Sequence, residues 1–123
     1  MAKVKGRNTS PERLVRRCLR QLRCRYRSNV KTITGTPDVV LRGRKKLIFV
    51  NGCFWHGHAG CSRATRPLTN EAFWKRKIEG NVKRDARLLR GLRKAGWSVL
   101  VVWQCQTKDM TRLERRLSRF IRR

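Results

Sequence analysis

The chain predicts a single α/β domain, a mixed central sheet flanked by helices. Two observations lead there. The apolar runs "KKLIFVN" (45–51) and "WSVLVVW" (97–103) have the make-up of strands, and a continuous apolar run suits a strand covered on both faces. Between them lies one long helical pattern that ends at Gly96. A helix joining two strands in this way is a crossover connection, which builds a mixed sheet with helices packed on it.

Taken in order, residues 1–8 read as a mobile basic arm. Thr9 or Ser10 can cap a first helix, with Pro11 in its first turn and Glu12 close behind. Leu14, Val15, Cys18, Leu19 and Leu22 recur at helical spacing over about 10–23, with arginines on the other face. Arg25 to Val30 reads as extended, and Thr34-Gly35-Thr36-Pro37 is turn chemistry leading into the short strand "PDVVLRG". The segment 52–70, with Gly52, Gly57, Gly60 and Pro67, reads as irregular. From Thr69 or Asn70 the long helix follows, with Trp74, Ile78, Val82, Ala86, Leu89 and Leu92 as its buried stripe, Gly80 as a break and Gly96 as its C-terminal cap. Thr111 and Glu114 suggest a capping box for a last helix that buries Met110, Leu113, Leu117, Phe120 and Ile121.

Charge narrows the partners. In 123 residues, 33 Lys and Arg stand against 7 Asp and Glu, a net +26. Such a field draws the molecule to a polyanion, with an affinity that falls steeply with salt. Nucleic acid is the leading expected partner. A membrane is not expected: there is no apolar run of about 18 residues, and basic residues are spread over every segment. Charge alone does not separate an enzyme from a ribosomal or RNA-binding protein. Five cysteines, an odd number, without a secretory apolar region predict reduced thiols in a cytoplasm.

The stretch "NGCFWHGHAGC", 51–61, concentrates the chemistry. Zinc takes four N or S ligands in a tetrahedron. Cys53, His56, His58, Cys61 and the distant Cys105 offer five, one more than needed. Buried structural thiols are the plainer alternative, but two histidines set among three cysteines weaken it. Cys18 falls on the apolar stripe of the first helix, and Cys24 follows that helix; both read as structural. A histidine left over beside the ion is a candidate general base, and spacing alone leaves His56 and His58 open for that role.

Asp38 is one of few acids and follows Pro37 at the head of a strand, a placement similar to the PD-(D/E)xK nuclease core. The Glu-x-Lys of the next strand is missing, since that strand reads Phe49-Val50-Asn51. Phosphodiester cleavage still needs a metal to offset charge and a group to activate water. Asp38 and His56 are the candidates. An Asp that merely caps the turn is an equal alternative.

The strings "RNTSPERLVRRCLRQLRCRYR", "GTPDVV", "LIFVNGCFWHGHAGC", "FWKRKIEGNVKRDAR" and "LRKAGWSVLVVWQC" together closely resemble the very-short-patch repair (Vsr) mismatch endonuclease family, in the family's order and over roughly 4–106. The resemblance implies a restriction-endonuclease-like fold with a structural zinc and a catalytic Mg²⁺. It implies a nick 5′ to the thymine of a T·G mismatch. It matches Asp38, His56 and Glu12 to catalytic positions and Cys53, His58, Cys61 and Cys105 to zinc ligands, so that His56 is the histidine left free. It matches Val50 to a magnesium ligand through its main-chain carbonyl. It also matches Phe54, Trp55 and Trp74 to aromatics that wedge into the duplex beside the mismatch, where a mismatched step is cheaper to unstack. Asp85 matches an acid that either orients His56 or forms a surface ion pair. Trp97, Trp103 and Phe73 read as core.

Three departures stand out. Asn51 sits where the family usually has histidine, Thr36 where an arginine is common, and the first helix begins almost at once, without a longer N-terminal arm. They keep a second reading open: a zinc-stabilised basic DNA-binding module with weak or no cleavage, serving a larger repair, transposition or defence complex. The first reading expects a monomer on mismatched DNA, nucleoid-associated in a bacterial or phage-like setting, with a mismatch-repair protein as a further partner.

Overall fold

A computed structural model describes residues 10–31, 33–41, 43–65 and 67–122, the side chain of Arg63 excepted. The expected basic arm 1–8 and the Thr9 cap lie outside the described residues. The elements run α1 (Ser10–Gln21), β1 (Tyr26–Ser28), β2 (Val39–Leu41), β3 (Lys46–Asn51), α2 (Glu71–Lys94), β4 (Ser98–Trp103) and α3 (Met110–Arg122). Single 3-10 turns occupy Ser62–Ala64 and Gln104–Thr107.

The sheet has the order β1-β2-β3-β4. β1 and β2 are antiparallel, as are β2 and β3, while β3 and β4 are parallel through the α2 crossover. The mixed sheet is therefore as the apolar runs predict, with the extended stretch near Tyr26 supplying a fourth, edge strand. β3 is covered on both faces. Ile48 joins Val15, Leu19, Val102, Leu113 and Leu117 under α1 and α3. Leu47 and Phe49 join Leu92 and Val99 under α2.

The helix ends show how local sequence sets the boundaries. α2 stops in paired reverse bonds: Gly96 N–H donates to the Arg93 carbonyl and Trp97 N–H to the Leu92 carbonyl, both at 3.0 Å. Gly96 supplies the φ of +97° that this ending requires. α3 starts two residues earlier than a Thr111 cap would place it. Asp109 is the cap, its Oδ1 accepting the Arg112 N–H at 3.1 Å, because its short carboxylate sits directly before the apolar stripe. The other end of α3 is closed by cations. Lys46 Nζ donates to the carbonyls of Phe120 (2.7 Å) and Ile121 (3.0 Å), and Arg44 adds a bond to Ile121 at 2.9 Å.

Two features of α2 differ from expectation. Gly80 does not break it; the helix is continuous over 24 residues, the roughly 1 kcal/mol cost of one glycine being too small to interrupt it. Its apolar stripe is not buried throughout. Ile78 and Leu92 are buried, but Val82 is 42 % exposed and Ala86 is exposed. The α2 face of the sheet carries the smaller buried cluster, so the middle of the long helix overhangs it. Phe73, expected in the core, is 50 % exposed, and Trp97 and Trp103 are half-buried. Among the described residues, no helix is long and apolar enough to cross a membrane.

Candidate functional site

Because β3 and β4 are parallel, they end together, with Asn51 in register with Trp103. The loop after β3 and the 3-10 turn after β4 therefore emerge side by side, as the carboxyl ends of parallel strands do in other α/β sites. β2 runs the opposite way, so its first residues reach the same edge.

This juxtaposition assembles a cysteine and histidine cluster from residues far apart in sequence. One potential ligand atom from each of Cys53, His58, Cys61 and Cys105 lies within 4.8 Å of the others. Cys53 is fully buried, and the other three are half-buried. The Cys105 N–H donates to Cys53 Sγ at 3.4 Å, and Cys105 Sγ lies 3.5 Å from His58 Nδ1. Metal–sulfur bonds of about 2.3 Å and metal–nitrogen bonds of about 2.0 Å give tetrahedral edges of roughly 3.5–3.8 Å, so small rotations close these four atoms on one ion. Three thiols and an imidazole are the donor chemistry of a soft or borderline cation such as zinc. Burial pushes the Cys53 thiol up to about 11. A bound cation is what would deprotonate it.

His56 is not one of the four. Its Nδ1 lies 2.6 Å from Asp85 Oδ2, reached across from α2. Among the described residues, the partner of Asp85 is His56 and not an arginine. Further bonds set the loop: His56 N–H donates to the Gly52 carbonyl at 3.2 Å, His58 N–H to the Cys53 carbonyl at 3.0 Å, and Asn81 Nδ2 on α2 to the Trp55 carbonyl at 2.8 Å. Gly57, between the histidines, has φ +60°, and a Cβ there would meet Ile78 and Val82 at 2.8 and 2.9 Å. Glycine is what lets the loop lie this close to α2.

Asp38 is more than a turn cap. Its Oδ2 accepts the Val50 N–H at 2.6 Å across the β2–β3 pair, and its carboxyl also hydrogen-bonds that of Glu12. Glu12 is buried in the first turn of α1 and is contacted by Arg16. Burial is the main cause that drives the Asp38 carboxyl up from 3.8 to about 7; the adjacent Glu12 charge adds to this, and the Val50 N–H and Arg16 oppose it. The pair of hard oxygens, Glu12 buried and Asp38 half-buried, suits a divalent cation such as magnesium, whose charge would reverse that repulsion. Asn51 is half-buried at the end of β3.

The raised value gives a pH dependence with a definite sign. A carboxyl that ionises less readily folded than unfolded adds stability fully below its unfolded value near 3.8 and loses it as pH rises to about 7. In magnesium-free buffer, Asp38→Asn should therefore melt at a higher temperature than the parent above pH 7, with the gap closing toward pH 4. Melting curves of both proteins from pH 4 to 8 check this; a gap independent of pH would contradict it.

The aromatics form one cluster. Phe54 lies 5.0 Å from Trp55 and 5.3 Å from Trp74, and Trp55 lies 5.8 Å from Trp74, by ring centroids. All three are half-buried, and the exposed Phe73 packs against Trp74 at 5.1 Å. Three residues at the site escape the sequence: Phe73, Gln104, whose Oε1 accepts the Cys53 N–H at 3.4 Å, and Trp103, stacked on His58. The Trp-x-Cys spacing was the one available signal for Trp103.

Known proteins are similar to this chain in sequence and in fold. The family model described as DNA mismatch endonuclease Vsr matches residues 1–63. The type II nicking enzyme V.XorIIP of Xanthomonas oryzae pv. oryzae is 44 % identical over 117 residues, covering 95 % of this chain and 85 % of that protein. The DNA mismatch endonuclease Vsr of Escherichia coli is 34 % identical over 113 residues, covering 92 % and 72 %. The catalytic domain of the homing endonuclease I-Bth0305I shares the fold with a TM-score of 0.66 at 24 % identity, over 92 % of this chain and 94 % of that one. On the family match and these identities, the chain belongs to the Vsr family of DNA endonucleases.

Proposed function

We propose that the protein is a magnesium-dependent endonuclease that nicks one strand of duplex DNA 5′ to the thymine of a T·G mismatch, acting as a single-domain monomer. The observation that carries this is the pairing of an acid pair, Asp38 with Glu12, and an acid-oriented imidazole, His56 with Asp85, in one small fold. Hydrolysis of a phosphodiester needs both kinds of group.

Asp38, Glu12 and the Val50 main-chain carbonyl are the groups that would hold magnesium. When bound there, the ion would offset the negative charge that grows on the phosphate in the transition state. The Val50 N–H fixes one Asp38 oxygen, which orients the carboxyl. The contact of Nδ1 with Asp85 leaves Nε2 as the nitrogen that would take a proton from water. Cys53, His58, Cys61 and Cys105 would hold zinc as a structural clip that fixes the loop carrying His56; they take no part in proton transfer.

Phe54, Trp55 and Trp74 supply the wedge. Their rings already pack against one another, so little side-chain freedom is lost when they replace stacking at an opened step. A preference for mismatched DNA also accords with the name of the Escherichia coli relative, DNA mismatch endonuclease Vsr. The binding-module alternative finds less support, because a module needs neither the Asp38–Glu12 pair nor the His56–Asp85 contact.

End-labelled duplexes carrying T·G, or C·G in the same context, incubated with and without Mg²⁺, test the reading. The expected result is a single-strand nick that needs both the mismatch and Mg²⁺. Tight binding without cleavage in Mg²⁺ or Mn²⁺ would favour the module; equal nicking of the two duplexes would remove the mismatch specificity.

A further inference from the structure

Trp103 ends β4, two residues before Cys105. Its N–H donates to Gln106 Oε1 at 2.9 Å, and that oxygen also takes a bond from Arg116 of α3. The backbone that carries the indole is thus tied to the helix behind it. From this position the indole lies flat on His58, with ring centroids 4.1 Å apart and planes 8° from parallel. It meets His56 quite differently, at 6.4 Å and 73°. One ring therefore touches both imidazoles of the loop and treats them unequally.

The two histidines differ by two residues in a loop where Gly57 and Gly60 both have positive φ. Thiolates bind an imidazole at either position, and the main-chain bonds that set the loop leave the ring orientations to side-chain contacts. A flat aromatic wall does decide, because only a ring lying parallel to it can occupy that space. We infer that Trp103 is the positioning residue that assigns the two histidines their roles: by stacking on His58 it turns Nδ1 toward Cys105 and seats that ring in the cluster, while its edge keeps His56 outside, on Asp85.

The inference rests on the proposed metal clip, so the experiment separates the two. The parent, Trp103→Phe and Trp103→Leu are loaded with zinc or cobalt. Metal content, the cobalt absorption spectrum and the rate of metal release to a chromogenic chelator are then recorded. The parent should hold one ion. Phe keeps a flat face and should release metal at nearly the parent rate, whereas Leu should release it about three- to tenfold faster, the range expected for a lost aromatic stack. The Leu variant should also show an altered cobalt spectrum, and adding His56→Ala should return it to the parent form by removing the competing imidazole. If Trp103→Leu does not fold, Trp103→Met serves the same comparison. Release from the aliphatic variant as slow as from the parent overturns the inference. A parent that binds neither metal overturns the clip itself, and does so before any variant is compared.

Discussion

Replacing His56 by alanine lowers the nicking rate by about 10²–10⁴-fold, the span of a lost general base, while duplex binding is retained. The ring is tied to α2 by Asp85 at 2.6 Å, and the loop around it is held by its own main-chain bonds and by Asn81. Removing the imidazole therefore leaves the loop anchored, and the positive charge of the molecule is untouched. Asp85→Asn is the finer probe. An amide can donate to Nδ1, which moves the imidazole proton to Nε2 and fills the lone pair that the reaction needs. The expected loss is about 10–100-fold, typical for a partner that orients a functional imidazole. Single-turnover nicking beside a gel-shift titration measures both; loss of binding in step with loss of nicking would assign His56 to the DNA interface instead.

The second large effect concerns the metal cluster. Cys105→Ser, or a strong chelator, should lower the melting temperature by roughly 10–20 °C, equivalent to several kcal/mol for a chain of this size. The fold has its own core under α1 and α3, so the loss falls short of the complete unfolding seen when small metal-dependent domains are stripped. Damage should concentrate in 52–61 and 104–107. Cys24→Ser is the control, since its thiol lies outside the cluster and contacts its neighbouring Arg25 carbonyl. Metal analysis with calorimetry reads the outcome; an unchanged melting temperature in a Cys105→Ser protein free of metal would show that the cluster carries no stability.

Much of this architecture is legible because its elements are strongly periodic. The arginine-backed stripe of α1 and the apolar runs of β3 and β4 each admit one placement, and a helix joining two strands leaves few topologies. The meeting of Cys105 with the 53–61 loop follows once the two strands are parallel. What local pattern could not supply was depth. Val82 and Ala86 obey helical spacing as well as Ile78 does, yet the sheet beneath α2 is too narrow to cover them. Phe73 looks like a core aromatic because composition carries no information about which side of Trp74 faces outward. The Asp38–Glu12 pairing joins α1 to β2, and no spacing rule predicts a contact between those segments; the family resemblance alone marks Glu12. The choice between His56 and His58 is likewise decided by partners on α2 and β4.

The parallel junction of β3 and β4 has a kinetic meaning as well. Cys53 and Cys105, which emerge from it, are 52 residues apart, and the whole of α2 lies in between. Closing so long a stretch costs chain entropy that grows with its length, and pairing between such distant segments slows folding. A tie across that seam, made once the two strands have met, opposes their parting and should lengthen the life of the folded state.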